Sequence, residues 1–241
     1  HLHHPSPDLL CLMARLRRIE LTDWPCMAFL HALEGQVLVR DDEDRQRLLD
    51  ILRDAAREQG LSIHAYSLQD THLYLLATPT KPEALSLTLQ SLGRRYVAGF
   101  NRRHHRQGGL WAGRFRSTLV DPARHLFHCM QFIELHAEHS GSALLAKDYR
   151  WSSIAHHLGR RTDPLIVDHV LFWALGNTPF ERQAAWQRRL DDGLSLGLYQ
   201  RLEESTKKGW ALAEGSALDT LQELTERPLQ PRPRGRPRKQ Q

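Results

Sequence analysis

The order of strand-like and helix-like stretches predicts an α+β protein. It is a ferredoxin-like antiparallel sheet sandwich, followed by a helical C-terminal region and a basic, disordered tail. Three observations predict it. Up to Val120 the apolar pattern runs strand, helix, strand, strand, helix, strand. After Trp151-Ser152-Ser153 it becomes helical only. The last stretch, RPLQPRPRGRPRKQQ, holds five prolines or glycines among basic residues and cannot pack a core.

The elements follow in order. A short apolar strand lies near Met27–Leu33, with a turn at Glu34-Gly35 and a second apolar stretch at Val37–Val39. Asp41-Asp42-Glu43-Asp44 opens a helix whose apolar positions, Leu48, Leu49, Ile51, Leu52, Ala55 and Ala56, keep the helical period, and Gly60 closes it. Ser62–Leu68 and His72–Thr78 are strands joined by the turn signal Gln69-Asp70. Pro82 starts a long helix running towards Asn101. The loop Gln107-Gly108-Gly109 leads to a strand at Phe115–Val120, and Asp121-Pro122 caps a helix from Ala123 to about His136. Thr178-Pro179 is an N-cap and first-turn pair, and further short helices extend to Thr225. Residues 1–12 are expected to be upstream sequence or a cloning remnant, because MARLRRIE from Met13 resembles a natural start. The sandwich is expected over 13–150, the helical region over 151–226 and the tail over 227–241.

Composition narrows the function classes. At 241 residues, 41% hydrophobic and 25% charged, the chain is an ordinary globular one. No stretch approaches the roughly 18–20 apolar residues that span a bilayer. Cys11, Cys26 and Cys129 show neither pairing nor zinc-site spacing and fit reduced thiols in a cytoplasmic protein, which DNA binding would make nucleoid-associated. The net charge is only +5, but Ala84–Val120 has no acid and seven arginines: Arg94, Arg95, Arg102, Arg103, Arg106, Arg114 and Arg116. The tail adds Arg227, Arg232, Arg234, Arg236, Arg238 and Lys239, so the rest of the chain is acidic. Concentrating arginine this way points to a polyanion-binding surface. Tyr96, Phe100, Trp111 and Phe115, interleaved with those arginines, are candidates for stacking on bases. Pro233-Arg234-Gly235-Arg236-Pro237-Arg238 resembles an AT-hook, an extended segment that lies in a narrow minor groove; the other reading is a nonspecific basic tail. The adjacent pairs His104-His105 and His156-His157 are not expected to bind metal, since neighbours on one element generally point apart.

The stretches MARLRRIE, VRDDEDRQRLL, IHAYSL, FNRRH…GLWAGRFRSTLVD, FIEL, DYRWSSIAHHLG and GRPRK run from about Met13 to Lys239. Together they resemble the transposases associated with repetitive extragenic palindromes (REPs), which belong to the single-tyrosine, His-hydrophobic-His class. The resemblance implies a nuclease-type ferredoxin-like fold, recognition of palindromic or hairpin single-stranded DNA, and a possible homodimer that no sequence feature decides. It also implies cleavage by a tyrosine that attacks phosphorus while a divalent metal (Mg or Mn) polarises the phosphate. Two histidines at i and i+2 of a strand share a face and can hold that ion, helped by an amide four residues after the tyrosine.

This chain departs from that pattern at the chemistry. The His-hydrophobic-His motif falls on His72-Leu73-Tyr74, so the second metal histidine is a phenol. The nucleophile position is Phe132, which has no hydroxyl, and the amide position is His136, which can still ligate metal. Where the family often has Asn-Pro-Val-Arg-Ala-Gly, the chain has His136-Ala137-Glu138-His139-Ser140-Gly141, and the first strand also diverges. His72 is either a metal ligand or a structural histidine. Tyr74 is a packed aromatic or, as the sharper alternative, a substitute nucleophile with His72 and His136 holding metal. Moving a nucleophile from helix to strand works against that alternative, because a misplacement of about 1 Å can cost about 10²-fold in rate. The expected function is therefore DNA binding with cleavage impaired; the alternative is an active, metal-dependent transposase with a rewired site.

Overall fold

The computed structural model describes residues 19–231. The AT-hook-like segment at 233–238 and the start at Met13 lie outside the described residues, as do residues 1–12. The protein is α+β, with a four-stranded antiparallel sheet in the order β2-β3-β1-β4. The strands are β1 (Cys26–His31), β2 (Leu61–Leu68), β3 (His72–Pro79) and β4 (Arg116–Leu119). Helices α1 (Asp42–Gln59) and α2 (Ala84–Arg103) cover one face, and α3 (Pro122–His139) lies on the other.

Both faces of the sheet are covered, so β3 is buried along nearly its whole length and is apolar nearly throughout. Its period of two sends Leu73, Leu75 and Ala77 towards α1 and α2, and Tyr74 and Leu76 towards α3. β1 continues both layers, placing Phe29 opposite Tyr74 and His31 opposite His72. A bulge between Ile63 and Ala65 leaves His64 unpaired in the β2–β3 ladder.

The caps explain the boundaries. Asp41 accepts the Asp44 N–H at 3.0 Å at the start of α1. Gly60 ends that helix at φ 76, where a Cβ would sit 2.8 Å from Thr80 Oγ1. Asp121 accepts the Ala123 N–H and begins α3 as expected. Helix α2 starts at Ala84 rather than Pro82, and its cap comes from far away. Glu20 accepts the N–H groups of Leu85 and Ser86 at 2.6 and 3.3 Å, placing a carboxylate on the positive end of the helix. The apolar stretch at Val37–Val39 forms no strand. Leu38 is fully buried; its N–H bonds to Asp70 and its carbonyl accepts from the Tyr96 hydroxyl at 2.6 Å.

Beyond α3 come the short helices α4 (Ile154–His157) and α5 (Val170–Trp173), then α6 (Pro179–Asp192), α7 (Leu196–Lys208) and α8 (Gly215–Glu223). Thr178 and Glu181 form a capping box at the start of α6. Phe172, Trp186 and Leu202 enter the same core as Tyr74 and Phe132, so the helical region is packed directly on the sandwich. Its anchor is Glu134, fully buried on α3. Glu134 accepts from the Ser153 hydroxyl and His157 Nδ1 at 2.5 Å each, and from the Trp186 indole at 2.8 Å. Leu212 exchanges backbone hydrogen bonds with Leu119 and Asp121, which protects the edge of the sheet beside β4. No helix among the described residues is long and apolar enough to cross a membrane.

His64 supplies a pH test of this packing. It is 4% exposed; Nδ1 donates to the Val167 carbonyl and Nε2 accepts from the Thr78 hydroxyl. Burial lowers its pKa to about 4, with the neighbouring His169 and His157 adding to the shift and the Val167 carbonyl and Asp168 opposing it. Because the folded value lies below the free one, this stabilisation is complete above about pH 6.5 and is lost as pH falls towards 4. The loss expected is on the order of 3 kcal/mol. Denaturant melts of the native protein and His64→Gln at pH 7.5 and 4.5 check it: the variant should lose less stability on acidification.

Candidate nucleic-acid interface

The sheet and α3 bring together the residues singled out for metal and nucleophile. His72 begins β3, and Phe132 and His136 lie four apart on the face of α3 that covers it. His72 Nε2 and His136 Nε2 are 2.6 Å apart, in direct hydrogen bond. Phe132 is fully buried, and Tyr74, 1% exposed, packs its ring edge-on at 5.1 Å from Phe132 and at 4.8 Å from His136. Burial pushes the Tyr74 phenol well above its usual range, helped by Glu203.

Both histidines are held neutral. Burial lowers His72 to about 4, aided by Lys207 and His31, and lowers His136 to about 3, aided by His72, His139 and Lys207. A magnesium or manganese ion does not fit these residues. Such ions favour oxygen donors, whereas the pair offers two imidazoles already bonded to each other beside a neutral phenol. Two nitrogens sharing one ion at about 2.0–2.1 Å stand about 3 Å apart or more, not in hydrogen-bond contact. No third His, Cys, Asp or Glu converges with this pair among the described residues.

A residue that sequence reasoning missed completes the cluster. Tyr199, on α7, bonds its hydroxyl to His136 Nδ1 at 2.8 Å and packs its ring 4.5 Å from Phe132. The available signal was the spacing of Tyr199, Glu203 and Lys207, four residues apart on one helical face. Glu203 pairs with Lys207 at 2.8 Å, and Lys207 lies 5.6 Å from the Phe29 ring. The Tyr199 phenol is raised by burial and by Glu203, so it is not activated as a nucleophile in this arrangement.

The arginine-rich segment divides into two groups. Arg95 pairs with Asp54 and Glu58, Arg103 with Asp41, Glu43 and Asp44, and Arg106 with the Asn101 side chain and the Gly109 carbonyl. Arg103 holds the Asp41 carboxyl down at about 2. These three arginines tie loops and α2 to the rest of the chain. Arg94, Arg102, Arg114 and Arg116 are exposed, with no hydrogen bond or ion pair among the described residues.

The aromatic residues divide too. Tyr96 and Phe100 are buried at 0% and 2% exposure, so the expectation that they stack on bases is corrected. They continue the inward face of α2 set by Leu89 and Leu92. Trp111 and Phe115 are half-buried and line a groove of about 530 Å3 with His31 and Arg114. The Trp111 indole N–H is turned away from the groove, buried beside Gly93 without a hydrogen-bond partner among the described residues. A second cavity, of about 290 Å3, continues past Arg114 to Arg116, Lys208 and Arg227. His31 links this groove to the His72–His136 pair: its pKa is lowered by burial and by the charges of Arg116 and Lys207. His156 and His157, expected to diverge, instead converge on Asp168.

The α+β fold, with its four-stranded antiparallel sheet, is that of a solved tyrosine transposase. A solved REP-associated tyrosine transposase bound to a REP hairpin matches over 65% of this chain and 92% of its own, with a TM-score of 0.54 at 14% identity. A candidate transposase of Deinococcus radiodurans R1 matches over 48% of this chain and 92% of its own at 26% identity, with a TM-score of 0.35 from which nothing follows here. No protein-family model and no curated protein matches the sequence.

Proposed function

We propose that this chain is a member of the REP-associated transposase family that binds palindromic or hairpin DNA and no longer cleaves it. The observation that carries the reading is the buried aromatic cluster. Where the resemblance expects a nucleophilic tyrosine there is Phe132, with no exposure to solvent, and the paired histidines bond to each other. Beside this closed site lies an open groove with exposed Arg114 and Arg116, and with the half-buried Trp111 ring in its wall. Arginine there meets phosphate, and the Trp111 ring offers a stacking surface to an unpaired base. The solved relative's REP hairpin suggests the ligand to try first. The 233–238 segment would add salt-sensitive affinity for an adjoining duplex. Fluorescence anisotropy with a labelled REP-type hairpin, against an unstructured strand of equal length and composition, tests recognition. Tighter hairpin binding is expected, and equal affinity for both would contradict it.

A second reading, cleavage by a rewired site, has one specific observation in its favour, and it concerns Tyr199 rather than Tyr74. The Tyr199 hydroxyl already touches an imidazole, the arrangement of a nucleophile with its base. Its raised phenol and its position on the inner nitrogen of His136 oppose that reading. Peptide mapping of any covalent DNA adduct decides it: a phosphotyrosyl bond at 199, lost in Tyr199→Phe, would establish cleavage.

A further inference from the structure

The strongest unassigned feature lies 20 residues or more along the chain from the paired histidines, where α4 meets the segment before α5. His156 Nε2 and His157 Nε2 stand 3.3 and 3.4 Å from the same oxygen of Asp168, and the three donor atoms lie within 4.8 Å of one another. Those separations exceed the ordinary charge-assisted N–H···O distance of about 2.7–2.9 Å. They match the edge of a tetrahedron about an ion with bonds of about 2.0–2.1 Å, which is about 3.4 Å.

Two further observations point the same way. His157 is 1% exposed, yet among the described residues its Nε2 and the facing Asp168 Oδ1 are buried without a hydrogen bond, in contact only at the long 3.4 Å separation. Buried polar atoms of this kind are costly unless something binds them. On its other side, His157 Nδ1 donates to Glu134 at 2.5 Å, and Glu134 is itself fixed by Ser153 and Trp186. That fixes a ring proton on Nδ1, so an ion that displaces the Nε2 proton would meet a lone pair directed towards Asp168, the carboxylate–histidine arrangement that orients metal ligands.

We propose that His156, His157 and Asp168 form a binding site for a zinc-type divalent cation that locks the helical region to α3. The two carboxylates, Glu134 and Asp168, balance the charge of such an ion. The fourth position faces a cavity of about 290 Å3 beside Gln183, with room for water. His156 Nδ1 accepts the Asp163 N–H at 3.1 Å, so its neutral ring carries the proton on Nε2. Loading moves that proton to Nδ1 and releases the Asp163 N–H, with no net proton lost from this ring. A proton also competes for His157. Burial pushes that imidazole down, but Glu134 and Asp168 outweigh burial and raise it to about 9.

The site is independent of the DNA-binding reading and can be tested without DNA. The full chain, stripped with chelator, is titrated with Co2+ and then Zn2+, following visible absorption and melting temperature. Asp168→Asn and His156→Ala alter half-buried groups, and circular dichroism verifies their folds. His136→Ala serves as the control for the other histidine pair. One equivalent of Co2+ with an intense tetrahedral spectrum is expected, displaced by Zn2+ and accompanied by a higher melting temperature. Both site variants should bind more than about 100-fold more weakly, while His136→Ala binds as the native chain does. No uptake by the native protein would overturn the proposal and leave His157 as a protonated bridge between two carboxylates. Equal uptake by all variants would also overturn it, placing the ion at other histidines such as His1, His3 and His4.

Discussion

Replacing Arg114 and Arg116 together with alanine is expected to weaken hairpin binding about 10- to 30-fold at 0.15 M salt. Both side chains are exposed and form no hydrogen bond or ion pair among the described residues, and both line the cavities that continue from Trp111. Each phosphate contact contributes about −0.7 to −0.9 to the slope of log K against log salt, so two contacts supply that factor at this ionic strength. The slope itself should fall by about 1.4 to 1.8 in magnitude. Arg95→Ala with Arg103→Ala should behave differently. Those arginines serve ion pairs with α1, so the change should appear in melting temperature rather than in the salt slope. A salt slope that follows Arg95 and Arg103 instead of Arg114 and Arg116 would put the interface on the other face of α2.

Glu134→Ala is expected to cost about 3–5 kcal/mol of stability, enough to unfold a marginal domain. The substitution removes one carboxylate that accepts from three buried donors; it orphans His157 Nδ1 and the Trp186 indole, and leaves the Ser153 hydroxyl only its long contact with the Tyr66 carbonyl. It also leaves a void beside Ser153, His157 and Trp186, adding a cavity term. Glu134→Gln should cost less, on the order of 1–3 kcal/mol, because the amide keeps one acceptor while its NH2 confronts a donor. Urea melts at pH 7 measure both. Loss of less than about 1 kcal/mol in Glu134→Ala would show that the network is not the anchor of the helical region.

Much of the frame was legible from local signals. Short apolar stretches bounded by the Gln69-Asp70 turn marked β2 and β3, and Asp41, Gly60 and Asp121 marked helix ends, because a cap acts within three or four residues of itself. The pairing of His72 with His136 followed from the resemblance and from strand and helix periods. What escaped was long-range. Nothing local shows that Arg103 would meet acids about 60 positions earlier, or that Tyr199 would reach His136 from a different element. Tyr96 and Phe100 were grouped with the arginines by sequence proximity, but the helical period turned them inward. Adjacent His156 and His157 were expected to diverge. They sit at the end of a four-residue helix, where the chain bends enough for both rings to face Asp168.

The central claim is binding without strand transfer, and a denaturing gel tests it most directly. Purified protein is incubated with an end-labelled REP-type hairpin and manganese, with the same mixture run on a native gel. A retarded native band with intact, protein-free DNA under denaturing conditions is the result this account predicts. A shortened strand or a denaturant-resistant protein–DNA adduct would contradict it, and would mean that a hydroxyl within reach of His136 performs the cleavage that Phe132 cannot.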